Sequence, residues 1–512
     1  MPRYAAVDIG SNSVRLLVAE THPGGGFTEL AADRQVTRIG ESVFRDGRIS
    51  AESLREVCNV LARMNQAIAK LNPMAVRVVA TSAVRDASNQ LEFLDAAAAA
   101  IGAPVEIISG LEEARLIQLG VLARWPHPDQ RVLMIDVGGG SAEIILSDHG
   151  ARKEAFSKPL GAVRLKEVFL PSDPPDAAQL RRMEQFVLEK IAPCLERIPH
   201  RSFDRVIGTS ATAAAIVCAV HRIPRTRREE ADRMLVTPVQ VRRLYREITS
   251  RSLSARRRMP GIGPRRAEII IPGVAVFLKA MEAFQVRSLH YSSAGVRDGV
   301  IADLAARGAG RERSLLDRDQ RRVVEQMAKK YGVPVPHARH VASLAHGLFE
   351  SLYSLHELAP PFGRLLEAAA YLHDTGHYVS DSAHHKHSAY LVANSGLPGF
   401  TGEERHMIAM LCRFHRKSMP SQRHEGYVLM SPEQRRALML LLPLLRLADS
   451  LDRSHSQKVE RVECHVRKGA AVLEVKAAAD TDLDLWAAER ASDVFRQVYA
   501  MPLELVSVRS GR

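Results

Sequence analysis

The sequence lacks the features that mark secreted, membrane and disulfide-stapled proteins. Its five cysteines lie far apart without a CxxC pair, as expected in a reducing compartment. No basic and apolar leader precedes the first predicted strand, and the longest apolar run, Ala437 to Leu445, contains Pro443 and stops at Arg446. A membrane helix needs about 20 apolar residues. We therefore expect a cytoplasmic protein without a signal peptide, a membrane span or a membrane partner.

Lysine is missing from the most basic part of the chain. The formal net charge is +13, and the stretch from Arg222 to Arg266 holds fourteen arginines, no lysine and only four acidic residues. A planar guanidinium group suits phosphate oxygens, so this stretch predicts a track for a polyanion. The alternative is a solvated helix face. Net charge alone does not choose among nucleic acid, polyphosphate and nucleotide as the anionic partner.

The strand pattern is absent from one long part of the chain, which helps to divide it. At 512 residues and 46% apolar composition, the chain predicts several cores. Strands alternate with helices up to about residue 306, which is typical of α/β layers, and histidine-bearing helices then replace them until about residue 460. We predict an α/β lobe over residues 1–124, a second α/β lobe over 125–306, an all-α domain over 307–459 and a small α/β domain over 460–512.

Local patterns in the first lobe predict individual elements. The sequence favours an amphipathic helix from Ala51 to Leu71, a strand from Ala75 to Ala80 and an alanine-rich helix from Gln90 to Ile101. In the last domain, from Val459 onward, the pattern is strand, strand, helix, strand. These elements support the α/β assignment of both regions.

One short pattern occurs twice, once in each predicted lobe. Val7 to Val18 and Ile135 to Leu146 each consist of an apolar strand that ends at an aspartate, a Gly/Ser turn and a returning apolar strand. Backbone amides and hydroxyls of such a turn converge beside the carboxylate, so that the turn can hold an anion and the aspartate its cation. Two similar lobes should therefore face each other across a cleft.

A carboxylate without an evident structural role follows the last strand of the first lobe. Ser109 and Glu112 have the spacing of a capping box, which gives Glu112 the role of satisfying helix amides. Glu113 then stands at the carboxyl end of a strand, where open α/β sheets place ligands. The alternative is that Glu113 stabilises the helix dipole, an effect of about 0.3–1 kcal/mol.

Six short motifs follow one another over the first 300 residues. They are D-x-G-S-N-S from Asp8, A-T-S-A-x-R ending at Arg85, S-G-x-E-E-A-R from Ser109, D-x-G-G-G-S-x-E from Asp136, G-T-S-A-T from Gly208 and S-x-x-G-x-R-x-G ending at Gly299. In this order they resemble the exopolyphosphatase and guanosine pentaphosphate phosphohydrolase family. The resemblance implies two actin-like (ribonuclease H-like) lobes, as in sugar kinases and chaperone ATPases, although no separate sugar-recognition block is found.

The resemblance also implies roles for individual residues. Glu113 matches a general base that activates water, while Asp136 and Glu143 match an acidic pair that positions Mg²⁺ and the scissile phosphate. Phosphoryl transfer to water depends mainly on such positioning and charge neutralisation. The implied phosphate-binding residues are Asp8, Gly10, Ser11, Asn12, Ser13, Arg85, Gly138, Gly139, Gly140, Ser141, Gly208 and Thr209.

The helical domain carries histidines and aspartates in the order typical of another family. The set resembles the HD phosphohydrolase superfamily, and the resemblance implies an HD-type site for one or two ions of Mn, Fe, Ni or Zn, which imidazole and carboxylate ligands suit. The implied ligands are His340, His373, Asp374, His387, His415 and Asp449. The alternatives are ordinary surface or core histidines, a phosphate site that includes Arg416 and Lys417, or a scaffold without metal.

Three neighbouring residues receive no ligand role from the sequence. His384 and His385 are expected in a loop before His387. Asp452, one turn after Asp449, is expected on the surface or behind the ligands.

Together these patterns predict an exopolyphosphatase that releases terminal orthophosphate from inorganic polyphosphate by Mg²⁺-assisted attack of water. The alternative is hydrolysis of guanosine pentaphosphate (pppGpp), a phosphorylated guanosine nucleotide, at the same site. Two further alternatives are a nucleotide-switched signalling protein, and a protein whose HD-type domain is the principal metal-dependent phosphohydrolase. The resemblance implies a homodimer, and no nucleic-acid partner is expected.

Overall fold

The structure, a computed structural model, describes residues 1–22, 26–198, 203–308, 314–467, 469–477 and 481–509. The chain divides into two units, Met1–Ala309 and Gly310–Arg512. Among the described residues, no helix combines the length and the apolar character that crossing a membrane requires.

The first unit contains two sheets with helices packed on them. Its elements up to residue 124 are β1 (Arg3–Ile9), β2 (Ser13–Thr21), β3 (Phe27–Val36), α1 (Ile39–Asp46), α2 (Ala51–Leu71), β4 (Ala75–Ala80), α3 (Ser82–Asp86), α4 (Gln90–Ile101), β5 (Val105–Ile107) and α5 (Gly110–Arg124). The following elements are β6 (Arg131–Val137), β7 (Ala142–Asp148), β8 (Ala151–Lys158), α6 (Ala162–Phe169), α7 (Ala177–Arg197), β9 (Arg205–Thr209), α8 (Ser210–Val220), β10 (Leu235–Val236), α9 (Pro238–Ser250), α10 (Leu253–Arg257), α11 (Ile270–Ala283), β11 (Leu289–Tyr291) and α12 (Val296–Gly308). A 3-10 helix spans Arg225–Ala231.

The bounds of α2, β4 and α4 confirm the local predictions in the first lobe. Ser50 caps α2 by accepting a hydrogen bond from the backbone N–H of Ser53 at 3.2 Å, and Asn72 ends the helix in the left-handed region. The local sequence therefore determines both ends of this helix.

The two sheets repeat one strand order. The first sheet runs β3-β2-β1-β4-β5, and the second runs β8-β7-β6-β9-β11 with β10 added at its edge. In each sheet the first three strands are antiparallel and the next two are parallel to the central strand. The prediction of two similar α/β lobes of the actin-like type is confirmed by this duplicated order.

The last helix of the first unit returns to the first sheet. Although α12 lies in the range predicted for the second lobe, its Val300 and Ile301 share a buried cluster with Tyr4 of β1 and Leu116 of α5. A Cβ added at Gly299 would lie 1.8 Å from the carbonyl oxygen of Leu116, so only glycine allows the two helices to approach this closely.

Helix α5 lies between the two sheets. On its other side Ala114 and Ile117 pack against Met134 and Ile145 of the second sheet. A side chain that points from the first turn of α5 is therefore placed between the lobes.

The second unit combines helices with a small sheet. Its elements are α13 (Arg318–Lys330), α14 (Val335–Ser351), α15 (Tyr353–His356), α16 (Pro361–Leu372), α17 (His384–Ala393), α18 (Gly402–Phe414), α19 (Glu425–Val428), α20 (Pro432–Ser450), β12 (Val459–Arg467), β13 (Ala470–Ala477), α21 (Asp482–Tyr499) and β14 (Leu503–Arg509). A 3-10 helix spans Thr375–Tyr378, and the sheet order is β12-β13-β14.

One hydrophobic core extends through both parts of the second unit. Leu348 of α14 and Leu441 of α20 belong to the same buried cluster as Val462 and Leu473 of the sheet. The predicted pattern of strand, strand, helix and strand after Val459 is confirmed. The described residues 460–467, 469–477 and 481–509 do not, however, have a core separate from that of the helices.

Candidate active site in the cleft and a histidine–aspartate cluster

Four carboxylates, three of them buried and that of Asp136 half-buried, meet in the cleft between the two lobes. Asp8 stands near the end of β1, Asp136 in β6, Glu143 in β7 and Glu113 in the first turn of α5. Asp136 and Glu143 are direct cross-strand partners. The charges of Glu143, Asp8 and Asp136 all act on Glu113. The structure thus brings together the predicted base, the predicted acidic pair and the aspartate of the first turn.

Crowding of these carboxylates favours their protonated forms. Burial and the charge of Glu143 hold the pKa of Glu113 well above its usual value, while Arg85 opposes the shift. Burial and Asp136 raise the pKa of Glu143 to about 8, against the hydrogen bonds that Ser157 and Ser141 donate to it. Perturbed carboxyl groups of this kind cluster at functional sites.

The carboxylate cluster fits a divalent cation. Within the described part of the chain, Oε2 of Glu113 and Oε2 of Glu143 are buried without a hydrogen-bond partner. Carboxylate oxygens are the ligands that Mg²⁺ prefers, and a bound cation favours the ionised form of each acid. The role of Asp136 and Glu143 as magnesium ligands stays a prediction that this donor set supports.

The two predicted phosphate turns have the same geometry. The N–H of Gly10 donates to the carbonyl of Ser13 at 3.1 Å, and the N–H of Gly138 donates to the carbonyl of Ser141 at 3.0 Å. These matched bonds close each turn beside its aspartate. The remaining amides of each turn are the groups from which an anion site would be built.

The two turns also approach each other across the cleft. A Cβ added at Gly139 would lie 2.9 Å from Cβ of Ser11, and one added at Gly140 would lie 2.1 Å from Oγ of Ser82. The hydroxyls of Ser11 and Ser82 are 3.0 Å apart and hydrogen-bonded. Glycine is therefore required at this contact because any side chain would separate the turns.

The other predicted phosphate-binding residues have different surroundings. Arg85 lies in α3, where it donates to the carbonyl of Ile108 at 2.7 Å and acts electrostatically on Glu113. The carbonyl of Asn12 accepts the N–H of Thr37 at 3.2 Å. These contacts leave the proposed phosphate roles of Arg85 and Asn12 as predictions.

Gly208 and Thr209 lie at the end of β9, next to the acidic pair. The Thr209 hydroxyl donates a hydrogen bond to Asp136. Gly208 pairs with both neighbouring strands, and a Cβ there would lie 2.8 Å from Leu289 and 3.2 Å from Phe277. Sheet packing therefore accounts for the glycine at position 208.

Arginines from both lobes line a narrow cavity beside the carboxylates. Arg34 of β3 and Arg225, Arg228 and Arg266 from the second lobe line this cavity of about 20 Å³. Arg266 is buried and donates to Thr212 at 3.1 Å. It also acts on Asp136, which places the cavity next to the acidic pair.

The arginine charges oppose one another. Burial and the guanidinium groups of Arg15 and Arg266 lower the pKa of Arg34 to about 7. Burial and Arg15 likewise lower the pKa of Arg266 to about 9. Since guanidinium groups keep their protons in proteins, this mutual repulsion is a cost that a bound polyanion would relieve.

The predicted arginine track is therefore narrower than the sequence indicates. Within Arg222 to Arg266, many arginines pair with acids away from the cavity. These pairs are Arg227–Glu230, Arg242–Glu282, Arg251–Glu247, Arg256–Asp173 and Arg257–Glu268. Sequence reasoning missed Arg15 and Arg34, which come from the first lobe. The sequence did contain a signal for Arg15, because this residue occupies the position in the first repeat that Glu143 occupies in the second.

A buried ion-pair network fixes α5 behind the cleft. Arg115 donates to Glu112 at 2.8 Å and to Asp303 of α12 at 2.9 Å, and Arg77 of β4 donates to Asp303 at 2.9 Å. One of the two hydrogen bonds of the predicted capping box is present, since the Ser109 hydroxyl accepts the backbone N–H of Glu112 at 3.2 Å. The Glu112 carboxylate, however, binds arginines, and so it holds the helix that carries Glu113.

A histidine–aspartate cluster occupies the second unit. His337, His373, Asp374 and Asp449 offer ligand atoms within 4.8 Å of one another, as do Asp374, His377 and His384. His415 approaches the second group, with its Nε2 3.3 Å from Nε2 of His384. We call these six residues with His415, seven in all, the histidine–aspartate cluster.

The structure revises the ligand set predicted for this domain. Of the predicted residues it brings together His373, Asp374, His415 and Asp449. His340 lies one turn beyond His337 on α14, with the charge of Asp452 near it, and His387 lies one turn beyond His384 on α17. Neither belongs to the groups of converging ligand atoms found among the described residues.

Three cluster members were missed by the sequence analysis, and one expectation was wrong. His337, His377 and His384 replace His340 and His387 as candidate ligands. His384 and His385 begin α17 instead of lying in a loop. The sequence offered His337 as a second histidine one turn from His340, but it offered no reason to prefer it.

Comparisons with known proteins agree with the two-lobed architecture. The Ppx/GppA phosphatase family model matches residues 17–307, and the model of Ppx/GppA phosphatase domain III matches residues 320–489. A Vibrio parahaemolyticus protein (serotype O3:K6, strain RIMD 2210633) named guanosine-5'-triphosphate,3'-diphosphate pyrophosphatase is 26% identical over 461 residues, which are 90% of this chain and 88% of that protein.

Solved structures resemble the first part of the chain. The crystal structure of the Aquifex aeolicus member of the Ppx/GppA family is 27% identical, with a TM-score of 0.52, and the match covers 60% of this chain and 98% of that one. An exopolyphosphatase from Cytophaga hutchinsonii, 23% identical with a TM-score of 0.55 over 59% of this chain and 97% of that one, shares the fold.

The duplicated lobes and these matches define a phosphatase of the actin-like class. Members of the matching family hydrolyse phosphoanhydride bonds. This chain belongs to the Ppx/GppA phosphatase family. The HD-type assignment of the helical domain stays a prediction, because the model that matches there is domain III of the same family.

Proposed function

We propose that this chain releases terminal orthophosphate from inorganic polyphosphate in the cleft of the first unit. The observation that carries the proposal is the position of four converging carboxylates next to an arginine-lined cavity. Carboxylates beside a cluster of arginines suit a substrate with a reactive end and a long anionic remainder. The carboxylates would act on the last phosphate, and the arginines would bind phosphates further along the chain.

The residues divide the reaction between them. Glu113 accepts a proton from the attacking water, and the oxygen of that water bonds to the terminal phosphorus. The bond between this phosphorus and the bridging oxygen breaks, and the bridging oxygen leaves with the shortened chain. Turn amides around Ser11 and Gly139, together with Arg85, offset charge on the terminal phosphate oxygens. Mg²⁺ held by Asp136 and Glu143 would neutralise further phosphate charge and hold Glu113 in its ionised form.

The walls of the cavity favour an inorganic chain over a nucleoside. They consist of four arginines with alanines, Cys218, Gly261 and Ile262. Among the described residues that line it, none carries an aromatic ring on which a base could stack. Weak contacts with many phosphates are the interactions that a processive enzyme needs.

A second candidate function is hydrolysis of the terminal 5'-phosphate of guanosine pentaphosphate. The observation that favours it is the similarity to the Vibrio relative, a guanosine-5'-triphosphate,3'-diphosphate pyrophosphatase that matches 90% of this chain. The same carboxylates and the same base would serve this reaction.

Phosphate release from short polyphosphate, long polyphosphate and pppGpp tests the proposal. We expect the highest kcat/KM for long polyphosphate. This kcat/KM should fall steeply as the salt concentration increases, and that for pppGpp should fall less, because the enzyme contacts more phosphates of the long chain. A higher kcat/KM for pppGpp with equal salt slopes would replace the proposal by the second candidate.

Glu113→Gln tests the assigned base. We expect kcat to fall about 10³-fold with little change in KM, since proton transfer contributes about 10²–10⁴ to such rates. Glu52→Gln is the matched control, because Glu52 is an exposed acid in the first turn of α2 and shares only the dipole role. Equal activity of the Glu113→Gln variant and its parent would remove Glu113 from the mechanism.

A further inference from the structure

Asp374 presents its two carboxylate oxygens to two different groups of side chains. Its Oδ2 lies 3.6 Å from Nε2 of His373 and 3.9 Å from Nε2 of His337. Its Oδ1 lies 3.6 Å from Nε2 of His377, 3.5 Å from that of His384 and 4.0 Å from that of His415. One carboxylate therefore stands between two sets of nitrogen atoms, as a bridging ligand does.

The separations between these atoms match those of ligands around metal ions. In the first group, Asp449 Oδ1 lies 3.2 Å from His373 Nε2 and 3.9 Å from His337 Nε2. Tetrahedral ligands with bonds of about 2.1 Å stand about 3.4 Å apart. The first group thus supplies two imidazoles and two carboxylates around one position, and the second supplies three imidazoles and the other oxygen of Asp374.

Hydrogen bonds at Nδ1 direct four of the histidines into the cluster. Nδ1 of His337 lies 2.8 Å from Asp452, that of His377 2.6 Å from Asp381, that of His373 2.9 Å from the carbonyl of Ala370, and that of His415 2.8 Å from the carbonyl of Cys412. Each acceptor favours the tautomer with its proton on Nδ1, which makes the Nε2 lone pair available to a metal ion, the usual arrangement behind metal-bound histidine. Asp452 was expected either on the surface or behind the ligands. It is fully buried, so the expectation of a surface position is wrong.

One nitrogen of the cluster has no partner in the described structure. Nε2 of His337 is buried without a hydrogen-bond partner, although the residue is only 1% exposed and its other nitrogen is satisfied. A buried polar atom without a partner is costly, and a cation at the first group would remove this cost.

A pocket of about 720 Å³ opens onto the cluster. Asp374, His384 and Asp449 form part of its wall. The wall also carries Arg416, whose guanidinium group lies 3.4 Å from Nε2 of His384, the cationic side chains of Lys417, Arg453 and Arg490, and the aromatic rings of Tyr331 and Trp486. The volume suits a small-molecule ligand, the cations suit phosphate, and the rings suit a planar group.

We propose that the second unit holds a binuclear metal centre, bridged by Asp374, that hydrolyses phosphate monoesters carrying an aromatic group. This activity is separate from the one proposed for the cleft. The ligands are His337, His373 and Asp449 for one ion and His377, His384 and His415 for the other. The sequence predicted His373, Asp374, His415 and Asp449, and the structure adds His337, His377 and His384.

The reaction is balanced with water as the only co-substrate. Arginines of the pocket hold the phosphate, a water oxygen bonds to phosphorus, the ester P–O bond breaks, and the leaving oxygen takes a proton to give an alcohol or phenol and orthophosphate. Two ions held by the histidine–aspartate cluster would supply an activated water and would stabilise both the attacking and the leaving oxygen. Trp486, 54% exposed at the wall of the pocket, would stack on the aromatic part.

Metal content of the full-length chain, measured by inductively coupled plasma mass spectrometry after growth in medium supplemented with manganese, iron, nickel and zinc, tests the centre itself. We expect about two ions per chain in the parent, about one in His384→Gln and fewer than about 0.5 in Asp374→Asn, because Asp374 serves both positions. His387→Gln is the matched control, since His387 lies on the same helix outside the cluster, and it should retain the parental content.

Two outcomes of that measurement would overturn the centre. The first is a parent with fewer than about 0.5 ions per chain in every supplemented medium. The second is an equal loss of metal in His387→Gln and His384→Gln. Circular dichroism of each variant separates loss of ligands from loss of fold.

Hydrolysis of p-nitrophenyl phosphate by the Glu113→Gln chain tests the activity without the cleft reaction. We expect this hydrolysis to persist in Glu113→Gln and to fall about 100-fold when Asp374→Asn is added. Trp486→Ala should raise KM for p-nitrophenyl phosphate about tenfold and leave that for glycerol 2-phosphate unchanged. Ester hydrolysis that disappears with Glu113→Gln and survives Asp374→Asn would assign it to the cleft, and metal-loaded protein without ester hydrolysis would refute the catalytic role.

Discussion

The two lobes of the first unit share a strand order but place opposite charges at one equivalent position. In the first lobe Asp8 pairs across the strands with Arg15, whereas in the second lobe Asp136 pairs with Glu143. The first pair combines a carboxylate with a guanidinium group, and the second combines two carboxylates. The duplicated fold therefore places opposite charges at one position of the same backbone plan, which supports the proposal that the first lobe contributes to anion binding and the second to cation binding.

This difference would allow one cleft to hold both a polyanion and its metal ion, as proposed above. Arg15 acts on Asp8 and Asp136 and also adds to the repulsion within the arginine cavity. Glu143 adds to the repulsion among the carboxylates. The arginines and the carboxylates thus each form a group whose charge is not neutralised by its neighbours. A complex of Mg²⁺ with a phosphate chain would supply negative charge to the arginines and positive charge to the carboxylates.

The largest expected effect comes from removing the charge that distinguishes the second lobe. Glu143→Gln should lower phosphate release about 10³-fold, because it removes a metal ligand and a preset charge at the reacting phosphate. The dependence of the rate on Mg²⁺ concentration should shift to higher concentrations. Asp95→Asn, at an exposed acid on α4, serves as the control. A parental rate and a parental Mg²⁺ dependence in Glu143→Gln would contradict the division between the lobes.

The contact between the turns is expected to have the next largest effect. In Gly140→Ala the new Cβ would lie 2.1 Å from Oγ of Ser82 and 2.8 Å from Oγ of Ser11 in the facing turn, so we expect the two turns to move apart. A displacement of about 1 Å can cost about 100-fold in rate, and we expect a loss of that order in kcat. Gly295→Ala, where an added Cβ has nothing within 4 Å, is the control. Unchanged kcat in Gly140→Ala would show that the two turns need not touch.

The sequence predicted the parts of this cleft that repeat or carry local signals. The duplicated aspartate turns, the ends of α2 and the position of Glu113 after a strand all follow from residues close together in the chain. Arg34 could not be predicted in the same way. Its position in the cavity depends on β3 lying opposite residues of the second lobe, and that is a tertiary contact.

The second unit shows the same limit at the scale of one helical turn. His337 and His340 both stand on α14, and His384 and His387 both stand on α17. The order of histidines and aspartates along the chain is the same whichever histidine of each pair is the ligand. Packing of α14, α17 and α20 decides which histidine of each pair faces Asp374, and no local pattern encodes that rotation.

A tenfold effect is expected from the charge that distinguishes the first lobe. Arg15→Gln should raise KM for long polyphosphate about tenfold and reduce the slope of log KM against log salt by about 1, because one phosphate contact is lost. The kcat value should change less, since Arg15 lies beside the cavity and acts on bound phosphates. Arg55→Gln, on the exposed side of α2, is the control. A fall in kcat without a change in the salt slope would place Arg15 among the residues at the reacting phosphate.

The smallest expected effect is a pH dependence of stability that the carboxylate pair of the second lobe should produce. The pKa of Glu143 is about 8 in the folded chain, against 4.5 for an ordinary glutamate. The protonated form is therefore favoured by folding, and its stabilising contribution is full below about pH 4.5 and is lost as pH rises through 8. In the absence of Mg²⁺, Tm should fall between pH 6 and pH 9, by about 2–4 °C for each kcal/mol lost. Glu143→Gln should flatten this profile, and Mg²⁺ should restore Tm at pH 9. If Tm falls as much in Glu143→Gln as in the parent, groups other than Glu143 cause the pH dependence. The carboxylate pair of the second lobe would then not distinguish the two lobes in their pH dependence.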